Sequence, residues 1–190
     1  MAEDIPQLAA IRYERGFDID RLLIEVSSEL ARSGLRLGGL LQLSTGDTGG
    51  NCATSVQVID LRIGTAFDIW QDRGPCAKGC RLDEAGLADA EVALRSSIED
   101  AVDLLIVNRF GRAESLGRGL RSCIERALTV GIPVLTAVRA PYDQSWAEFH
   151  SGLGCELPSL LDDVTKWVAR LKARQMGEVF PTASAGHWGH

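Results

Sequence analysis

Short apolar runs alternate with amphipathic stretches along most of this chain. Segments rich in apolar residues predict strands over residues 8–13, 35–43, 104–107 and 132–138, and the unbroken apolar run of 104–107 suits a strand that is buried on both faces of a parallel sheet. Apolar positions at helical spacing predict helices over residues 21–32, 83–101, 115–130, 141–150 and 158–174. The segments 55–61 and 65–70 flank Arg62-Ile-Gly64 and predict a β-hairpin. This alternation predicts an α/β fold, a three-layer sandwich with a mostly parallel sheet and an inserted hairpin.

Helix caps and domain boundaries follow from the same pattern. Asp20 precedes one predicted helix and Asp83 begins another, and each can cap its helix by accepting hydrogen bonds from the first free N–H groups. A chain of 190 residues with 45% hydrophobic content suits one domain. We expect this domain over residues 1–174 and a mobile tail over 175–190, because the tail is small and polar. His187 and His190 in the tail are spaced to bind a metal, with an unstructured end as the simpler alternative.

Composition and charge exclude several classes of function. The net charge of -6 argues against a broad nucleic-acid surface. No apolar run approaches the ~20 residues that span a bilayer, and the start of the chain has neither a basic nor an apolar leader. The five cysteines are an odd number in a chain without an export signal. We therefore expect reduced thiols and a cytoplasmic location.

Asn108 follows a predicted buried strand, at the edge where ligands of open α/β sheets collect. Residues 109–126 hold five arginines and two glutamates, a local balance of +3 in an acidic chain. Because parallel strands end at one edge, we expect the loops after Tyr13, Asn108 and Val138 to open together. A solvated helix face is the alternative interpretation of this charge run.

The arginine-rich segment predicts a site for a tetrahedral oxyanion. Arg109, Arg112 and Arg118 surround the expected start of a helix at Ser115, where free N–H groups and the helix dipole favour an anion. Gly111 lets the backbone approach a ligand closely. Molybdate, tungstate, phosphate and sulfate share this tetrahedral shape, and the residues do not discriminate among them.

A second loop, residues 71–83, adds further candidates before the next predicted helix. Lys78 and Arg81 extend the predicted anion site with positive charge. Beside them we expect Cys80 to have a lowered pKa, which makes it a soft metal ligand or a redox-sensitive thiol. A thiol buried beneath the loop is the alternative. Cys76 and Cys80 have a CxxxC spacing, but no second pair follows at zinc-finger spacing.

The loop Tyr13-Glu-Arg-Gly-Phe-Asp-Ile-Asp20 lies where a P-loop nucleoside triphosphatase carries its phosphate loop. Such a loop needs several glycines, a lysine that reaches the phosphates, and a Ser or Thr for magnesium. Here there is one glycine, Gly16, with no lysine and three carboxylates. Gly16 remains the candidate nucleotide contact of this loop.

The segment LLIVNRFGRAE resembles a motif of the small bacterial and archaeal nucleoside-triphosphatase family that is related to kinases. The resemblance implies a P-loop-type scaffold. In that family an Asp-Glu pair serves magnesium and water, and at those positions this chain has Asn108 and Arg109. An amide supplies no anionic contact to magnesium, and an arginine cannot act as a general base near neutral pH. We therefore expect negligible ATP hydrolysis.

The segments GCRLDEAGLADA, DLLIVNRFGRAESLGRGLR and GIPVLTAV resemble an uncharacterised bacterial family over residues 8–158. Its members are often encoded beside molybdate ABC transporters and are sometimes labelled as molybdenum-transport ATP-binding proteins. The resemblance implies no activity. It implies motif positions at Cys52, Cys80, Arg81, Leu82, Asp83, Asn108, Phe110, Gly111, Glu114, Gly117 and Gly119. Among these, Asp83 and Glu114 are candidate cofactor contacts, and Cys52 joins Cys80 as a candidate metal ligand. Glu114 either orients an arginine or closes a helical turn.

Two hypotheses from different classes remain open. The first is a non-catalytic protein that binds an oxyanion or a nucleotide in molybdenum homeostasis. The second is a nucleotide hydrolase or phosphotransferase whose chemistry has moved to residues such as Asp18, Asp83 or Glu114. We prefer the first. The missing lysine removes a positive charge that would reach the phosphates, and the Asn108-Arg109 pair removes the negative charge that would serve magnesium. An assembly of identical copies is compatible with either hypothesis.

Overall fold

The computed structural model describes residues 5–45, 55–69 and 84–179. Several of the sequence predictions lie outside these residues. They are the predictions on Cys52, Cys76, Lys78, Cys80, Arg81, Asp83, His187 and His190.

The described residues form a seven-stranded sheet with helices on both faces. The strands are β1 (Leu8–Arg12), β2 (Leu37–Thr45), β3 (Ser55–Asp60), β4 (Ala66–Asp68), β5 (Leu104–Val107), β6 (Val134–Val138) and β7 (Gly154–Leu157). The helices are α1 (Ile19–Arg32), α2 (Glu84–Glu99), α3 (Arg112–Ser115), α4 (Arg121–Thr129), α5 (Asp143–His150) and α6 (Leu161–Val179). The strand order is β4-β3-β2-β5-β6-β1-β7.

The sheet has five parallel strands and an antiparallel hairpin at one end. β2, β5, β6, β1 and β7 pair in parallel, in that order. β3 and β4 form the predicted hairpin, which pairs antiparallel with β2 and so widens the sheet. The prediction of an α/β fold with a mostly parallel sheet and an inserted hairpin is confirmed.

Two apolar clusters, one on each face of the sheet, produce the predicted three layers. One cluster joins the sheet to α2, α4 and α5 through residues such as Leu94, Ile124 and Trp146. The other joins it to α1 and α6 through residues such as Leu23 and Val168. The central strands β5 and β6 are buried along their whole length, which is why they read as unbroken apolar runs.

The loops after β1, β5 and β6 open at the carboxyl edge of the sheet, as predicted. β1 and β5 both pair in parallel with β6, so the three strands end together. Beyond the strands, Tyr13 N–H donates to the Val138 carbonyl at 3.2 Å, and Phe110 N–H donates to the Ala137 carbonyl at 2.8 Å. These bonds hold the start of each loop beside its neighbour.

The predicted helix over residues 115–130 is wrong in its first half. The chain instead forms the single turn α3, a non-helical connection, and then α4. Gly117 has φ of +75° and Gly119 has φ of +61°, both in the left-handed region. A right-handed helix cannot continue through such residues, so apolar spacing that spans the connection does not produce one helix.

The end of the chain differs from the prediction in two further ways. β7 was not predicted, because its four residues lie at the margin of the sheet, are only partly buried and form no apolar run. The last helix was predicted to end at residue 174, but α6 continues to Val179. The predicted tail therefore begins inside a helix.

Candidate functional site

Asp18, and not Asp20, caps α1. The Asp18 side chain accepts a hydrogen bond from the Arg21 N–H at 3.0 Å, which is the usual bond from an N-cap side chain into the first turn. The prediction that Asp20 is the cap is wrong, because the helix already begins at Ile19. Asp20 lies in the first turn, and its carboxylate is free to reach another element.

The Asp20 carboxylate pairs with the loop that follows β5. Arg109 Nη2 lies 2.6 Å from both Asp20 oxygens, and Asn108 Nδ2 donates to Asp20 Oδ1 at 3.2 Å. The pair is poorly accessible to water, since the side chains of Asp20 and Arg109 are 18% and 34% exposed. Asn108 and Arg109 are thus positioned by β5, and Asp20 by α1, at one point of the carboxyl edge.

This network leaves two buried polar atoms without a hydrogen bond in the described part of the chain. They are Asn108 Oδ1, an acceptor, and Arg109 Nε, a donor. Asn108 is only 8% exposed. Unpaired buried polar groups are uncommon in folded proteins and call for an explanation such as a bound ligand. The carboxyl edge therefore offers one buried donor and one buried acceptor side by side in sequence.

Glu114 organises the connection between α3 and α4. The residue is 8% exposed, and its carboxylate accepts hydrogen bonds from Gly111 N–H at 3.0 Å and from Leu120 N–H at 3.1 Å. Of the two roles considered for Glu114, closing a helical turn is the one observed, since Gly111 is the N-cap of α3, and the bond from Leu120 adds the closure of the loop after it. A Cβ added at Gly119 would lie 2.4 Å from Glu114 Oε1, so a side chain there would displace the carboxylate.

Arg112 and Arg118 are exposed on the loop that Glu114 closes. Neither side chain makes an ion pair with residues 5–45, 55–69 or 84–179. The predicted source of anion affinity, the N-terminus of a long helix at Ser115, is not present, because α3 is a single turn of four residues. A dipole of one turn is weak, so any attraction for an anion comes from the guanidinium groups themselves.

Gly16 lies in the turn after β1, at the same edge of the sheet. Its φ is +91°, and no atom of the described residues lies within 4 Å of an added Cβ. The glycine is therefore required by the backbone conformation and not by the closeness of a neighbour. Phe17 N–H donates to the Glu14 carbonyl at 3.1 Å and closes this turn.

Sequence reasoning did not find the polar group around Arg12 at the end of β1. Arg12 Nη1 donates to Glu156 Oε2 at 3.0 Å, and Arg12 Nη2 lies 3.4 Å from Asp143 Oδ2. The hydrogen bond to Glu156 and the charges of both carboxylates raise the pKa of Arg12. An arginine at the end of an otherwise apolar strand was the available signal. Its partners lie far along the chain, so only the strand order identifies them.

An aromatic cluster anchors the loop after β5. The Phe110 ring lies 5.3 Å from the Trp146 ring in an edge-on arrangement and 5.3 Å from the Phe149 ring. Phe110 is buried and adjoins Arg109 in sequence. The backbone that carries Asn108 and Arg109 is therefore tied to α5 and to the core, which fixes the position of the polar network.

Among the described residues, no group of three or more His, Cys, Asp and Glu side chains is arranged to hold a metal ion. Two free cysteines are described there, Cys123 and Cys155, and burial raises the pKa of both thiols. Raised thiol pKa values make both groups poor ligands at neutral pH. Within the same ranges, no helix has the length and apolar content to cross a membrane.

The parallel sheet, with its loop-to-helix connection after β1 and polar residues after β5, defines a P-loop-like α/β protein. The chain belongs to the family described as "Protein of unknown function (DUF2478)", whose model matches residues 8–167. The sequence resemblance to an uncharacterised family is thereby confirmed.

Two similar proteins carry names that refer to nucleotides. Over 154 residues, which are 81% of this chain, the sequence is 43% identical to the molybdenum import ATP-binding protein ModC 2 of Bradyrhizobium diazoefficiens. The match spans only 17% of that relative's length. A human cancer-related nucleoside triphosphatase, solved in solution, superposes with a TM-score of 0.57 over 90% of this chain and 96% of its own. At 14% identity this second likeness shows the fold alone.

The magnesium ion that a P-loop fold implies does not fit the residues that the structure describes at this edge. P-loop proteins hold Mg²⁺ between a Ser or Thr of the P-loop, at the start of the following helix, and an Asp after a strand. Here the first turn of α1 carries Asp20, and β5 is followed by Asn108 and Arg109. The Arg109 guanidinium bonds directly to the Asp20 carboxylate, so a cationic side chain lies at that point.

Proposed function

We propose that this protein is a non-catalytic oxyanion-binding protein of molybdenum homeostasis, built on a P-loop-like scaffold. Its ligand is a tetrahedral oxyanion such as molybdate or tungstate, or a phosphate group of the same shape. The ligand binds at the carboxyl edge of the sheet, against the loop that carries Arg109, Gly111, Arg112 and Arg118. Asn108 completes the site from the end of β5.

The observation that carries this proposal is the set of unpaired cationic donors on one ordered loop. Arg112 and Arg118 make no ion pair within the described ranges, and Arg109 Nε is buried without an acceptor. A charged donor without an acceptor is costly when it is buried, and an oxyanion supplies several acceptors at once. The Glu114 carboxylate keeps the loop in place without using any of these arginines, since its hydrogen bonds come from backbone N–H groups.

Two further observations favour binding over hydrolysis. The carboxylates considered as relocated catalytic groups are already occupied, because Asp18 accepts from the Arg21 N–H and Glu114 accepts from two backbone N–H groups. A general base must reach the proton that it removes. Glu114 is buried and both of its oxygens accept backbone hydrogen bonds, Asp18 uses one oxygen as the cap of α1, and Asp83 lies outside the described residues.

The link to molybdenum comes from the relative and from the family resemblance. The relative's name assigns it to molybdenum import and ATP binding, and this chain matches a small part of it. We infer that the matched part contributes ligand binding to such a system, either as a separate protein or as part of a longer one. Nucleotide binding at the same edge is the rival function, favoured by the ATP-binding name of that relative.

Calorimetric titration distinguishes these functions. The protein is titrated separately with molybdate, tungstate, sulfate, phosphate and ATP, and ATP turnover is followed with magnesium. We expect saturable binding of at least one tetrahedral oxyanion and negligible turnover. Turnover on the order of 1 per second, an ordinary enzymatic rate, would establish the hydrolase instead.

Arg118→Ala and Arg126→Ala form a matched pair for the site itself. Both residues are exposed and unpaired within the described ranges, and each substitution removes one positive charge. Arg126 lies on α4, outside the proposed loop. Arg118→Ala should cost roughly 1.5 to 3 kcal/mol of binding, about a ten- to hundredfold loss of affinity. Equal losses for the two variants would assign the effect to general electrostatics and reject the site.

A further inference from the structure

Arg109 and Asp20 meet at the two places of the fold from which P-loop proteins hold magnesium. Asp20 lies in the first turn of the helix after β1, and Arg109 follows β5. In P-loop proteins the helix supplies a neutral hydroxyl and the strand supplies an acid. Here the acid comes from the helix, and the strand is followed by a cation.

The geometry of the pair is that of a carboxylate holding a cation. One nitrogen, Arg109 Nη2, lies 2.6 Å from Asp20 Oδ1 and 2.6 Å from Asp20 Oδ2, while Asn108 Nδ2 adds a third contact at 3.2 Å. A guanidinium stays charged at any physiological pH. A divalent ion brought to the same carboxylate would meet this positive charge at close range, where repulsion is strong.

The rest of the guanidinium remains available to a ligand. Nη2 is used by Asp20, but Nε is buried and has no acceptor within the described residues. Asn108 Oδ1, buried beside it in sequence, is likewise without a donor. Arg109 therefore has one nitrogen that neutralises Asp20 and another that is free for an anion oxygen.

We propose that the Arg109 guanidinium replaces the divalent cation of this site, so that the protein binds its anion without metal. The proposal rests on the proposed function for the nature of the ligand, a tetrahedral oxyanion. For the exclusion of metal it rests on the ion pair alone. It assigns Arg109 two tasks, neutralising Asp20 and contacting the anion.

Manganese binding, followed by electron paramagnetic resonance, tests the exclusion of metal without any anion. We compare the wild type with Arg109→Asp, which places two carboxylates and an amide oxygen together, and with Arg109→Lys, which keeps a cation. We expect Arg109→Asp to bind one Mn²⁺ per chain at least about tenfold more tightly than the wild type. Arg109→Lys should not gain binding, and Asp20→Asn introduced into Arg109→Asp should remove the gain.

Arg109→Ala serves as a second variant, because it frees Asp20 without adding a repelling charge. It should gain weaker Mn²⁺ binding than Arg109→Asp, and a cooperative thermal transition verifies that each variant is folded. Tight Mn²⁺ binding by the wild type that Asp20→Asn abolishes would overturn the proposal. So would folded Arg109→Asp and Arg109→Ala variants that both fail to gain Mn²⁺.

The anion arm uses tungstate and inorganic phosphate, titrated in excess Mg²⁺ and in EDTA. We expect the two conditions to give affinities within about twofold of each other, a difference of well under 1 kcal/mol. Affinity that depends on Mg²⁺ would refute metal-free binding while leaving the oxyanion function intact. If neither anion binds, the oxyanion function fails, and the Mn²⁺ comparison still decides whether Arg109 excludes a metal.

Discussion

Two arginine-aspartate pairs lie at opposite edges of the same sheet, and only one of them is complete. At the amino edge, Arg36 precedes β2 and Asp103 precedes β5. Arg36 Nη2 donates to Asp103 Oδ1 at 3.0 Å and to the Ala101 carbonyl at 2.9 Å, and Arg36 N–H donates to Asp103 Oδ2 at 2.7 Å. At the carboxyl edge, the pair of Asp20 and Arg109 leaves Arg109 Nε and the neighbouring Asn108 Oδ1 unpaired and buried.

The difference separates a pair that is satisfied within the fold from a pair that we propose as part of a binding site. The amino-edge pair uses backbone groups as well as side chains, and these bonds fasten two neighbouring strands together. Its side chains are also more accessible to water, at 67% for Arg36 and 35% for Asp103. The carboxyl-edge pair is less exposed, and buried polar atoms beside it lack hydrogen bonds. Burying such atoms costs stability unless another group supplies the missing hydrogen bonds.

The largest expected effect comes from a substitution in the loop after β5, at the carboxyl edge, which leaves the amino-edge pair unchanged. Gly119→Ala forces a left-handed residue to carry a side chain and drives its Cβ into Glu114 Oε1. We expect the free energy of unfolding to fall by about 2–4 kcal/mol, of which about 1 is backbone strain and the rest lost hydrogen bonds. Urea denaturation measures the loss, and anion titration should show weaker binding.

Gly117→Ala is the control for this substitution. Gly117 also has a positive φ, but an added Cβ would meet no atom within 4 Å in the described part of the chain. We expect a loss of about 1 kcal/mol from backbone strain alone. Equal losses at the two glycines would show that Glu114 does not hold the loop.

Double-mutant cycles on the two ion pairs sharpen the comparison directly. One cycle uses Asp20→Ala and Arg109→Ala, and the other uses Asp103→Ala and Arg36→Ala. We expect a coupling energy of about 1–3 kcal/mol for the less exposed carboxyl-edge pair and about 0.2–1 kcal/mol for the amino-edge pair. Unfolding free energies of the four single and two double variants provide both values, and the reverse order would break the comparison.

The smallest effect concerns the pH dependence of the amino-edge pair. Burial opposes ionisation of Asp103, but its hydrogen bonds with the Arg36 side chain and backbone outweigh burial and lower the pKa of Asp103. A carboxyl group with a lowered pKa stabilises the fold above its unfolded pKa of about 3.9 and loses this contribution as pH falls through the folded pKa. The difference in unfolding free energy between the wild type and Asp103→Asn should therefore be at most about 1 kcal/mol near neutral pH.

Acid titration of stability tests this sign. The difference between the two proteins should stay nearly constant from neutral pH down to about pH 5 and shrink steadily below about pH 4. A difference that grows on acidification would mean that the folded-state pKa is raised, contrary to the hydrogen bonds with Arg36.

The loop after β5 was predictable from the sequence in composition and in place, but not in shape. Leu104–Val107 is a buried run, so Asn108 had to emerge at an edge of the sheet. The spacing of apolar residues after Ser115 predicts one continuous helix. The left-handed backbone of Gly117 and Gly119 prevents that helix and separates α3 from α4. Local periodicity could not weigh that spacing against the hydrogen bonds that Glu114 makes across the turn.

The amino-acid sequence by itself determined the alternation of strands and helices, the inserted hairpin and the common edge of the loops after β1, β5 and β6. These follow from short-range patterns of apolar residues and from the handedness of the crossovers. The tertiary structure alone decided that Asp20 pairs with Arg109 and that Asp18 caps α1 instead. The two partners are 89 positions apart in the chain. They meet because α1 and the loop after β5 lie at the same edge of the sheet. This proximity lets the Asp20 carboxylate contact the Arg109 guanidinium, whereas the Asp18 carboxylate accepts from a nearby backbone N–H group.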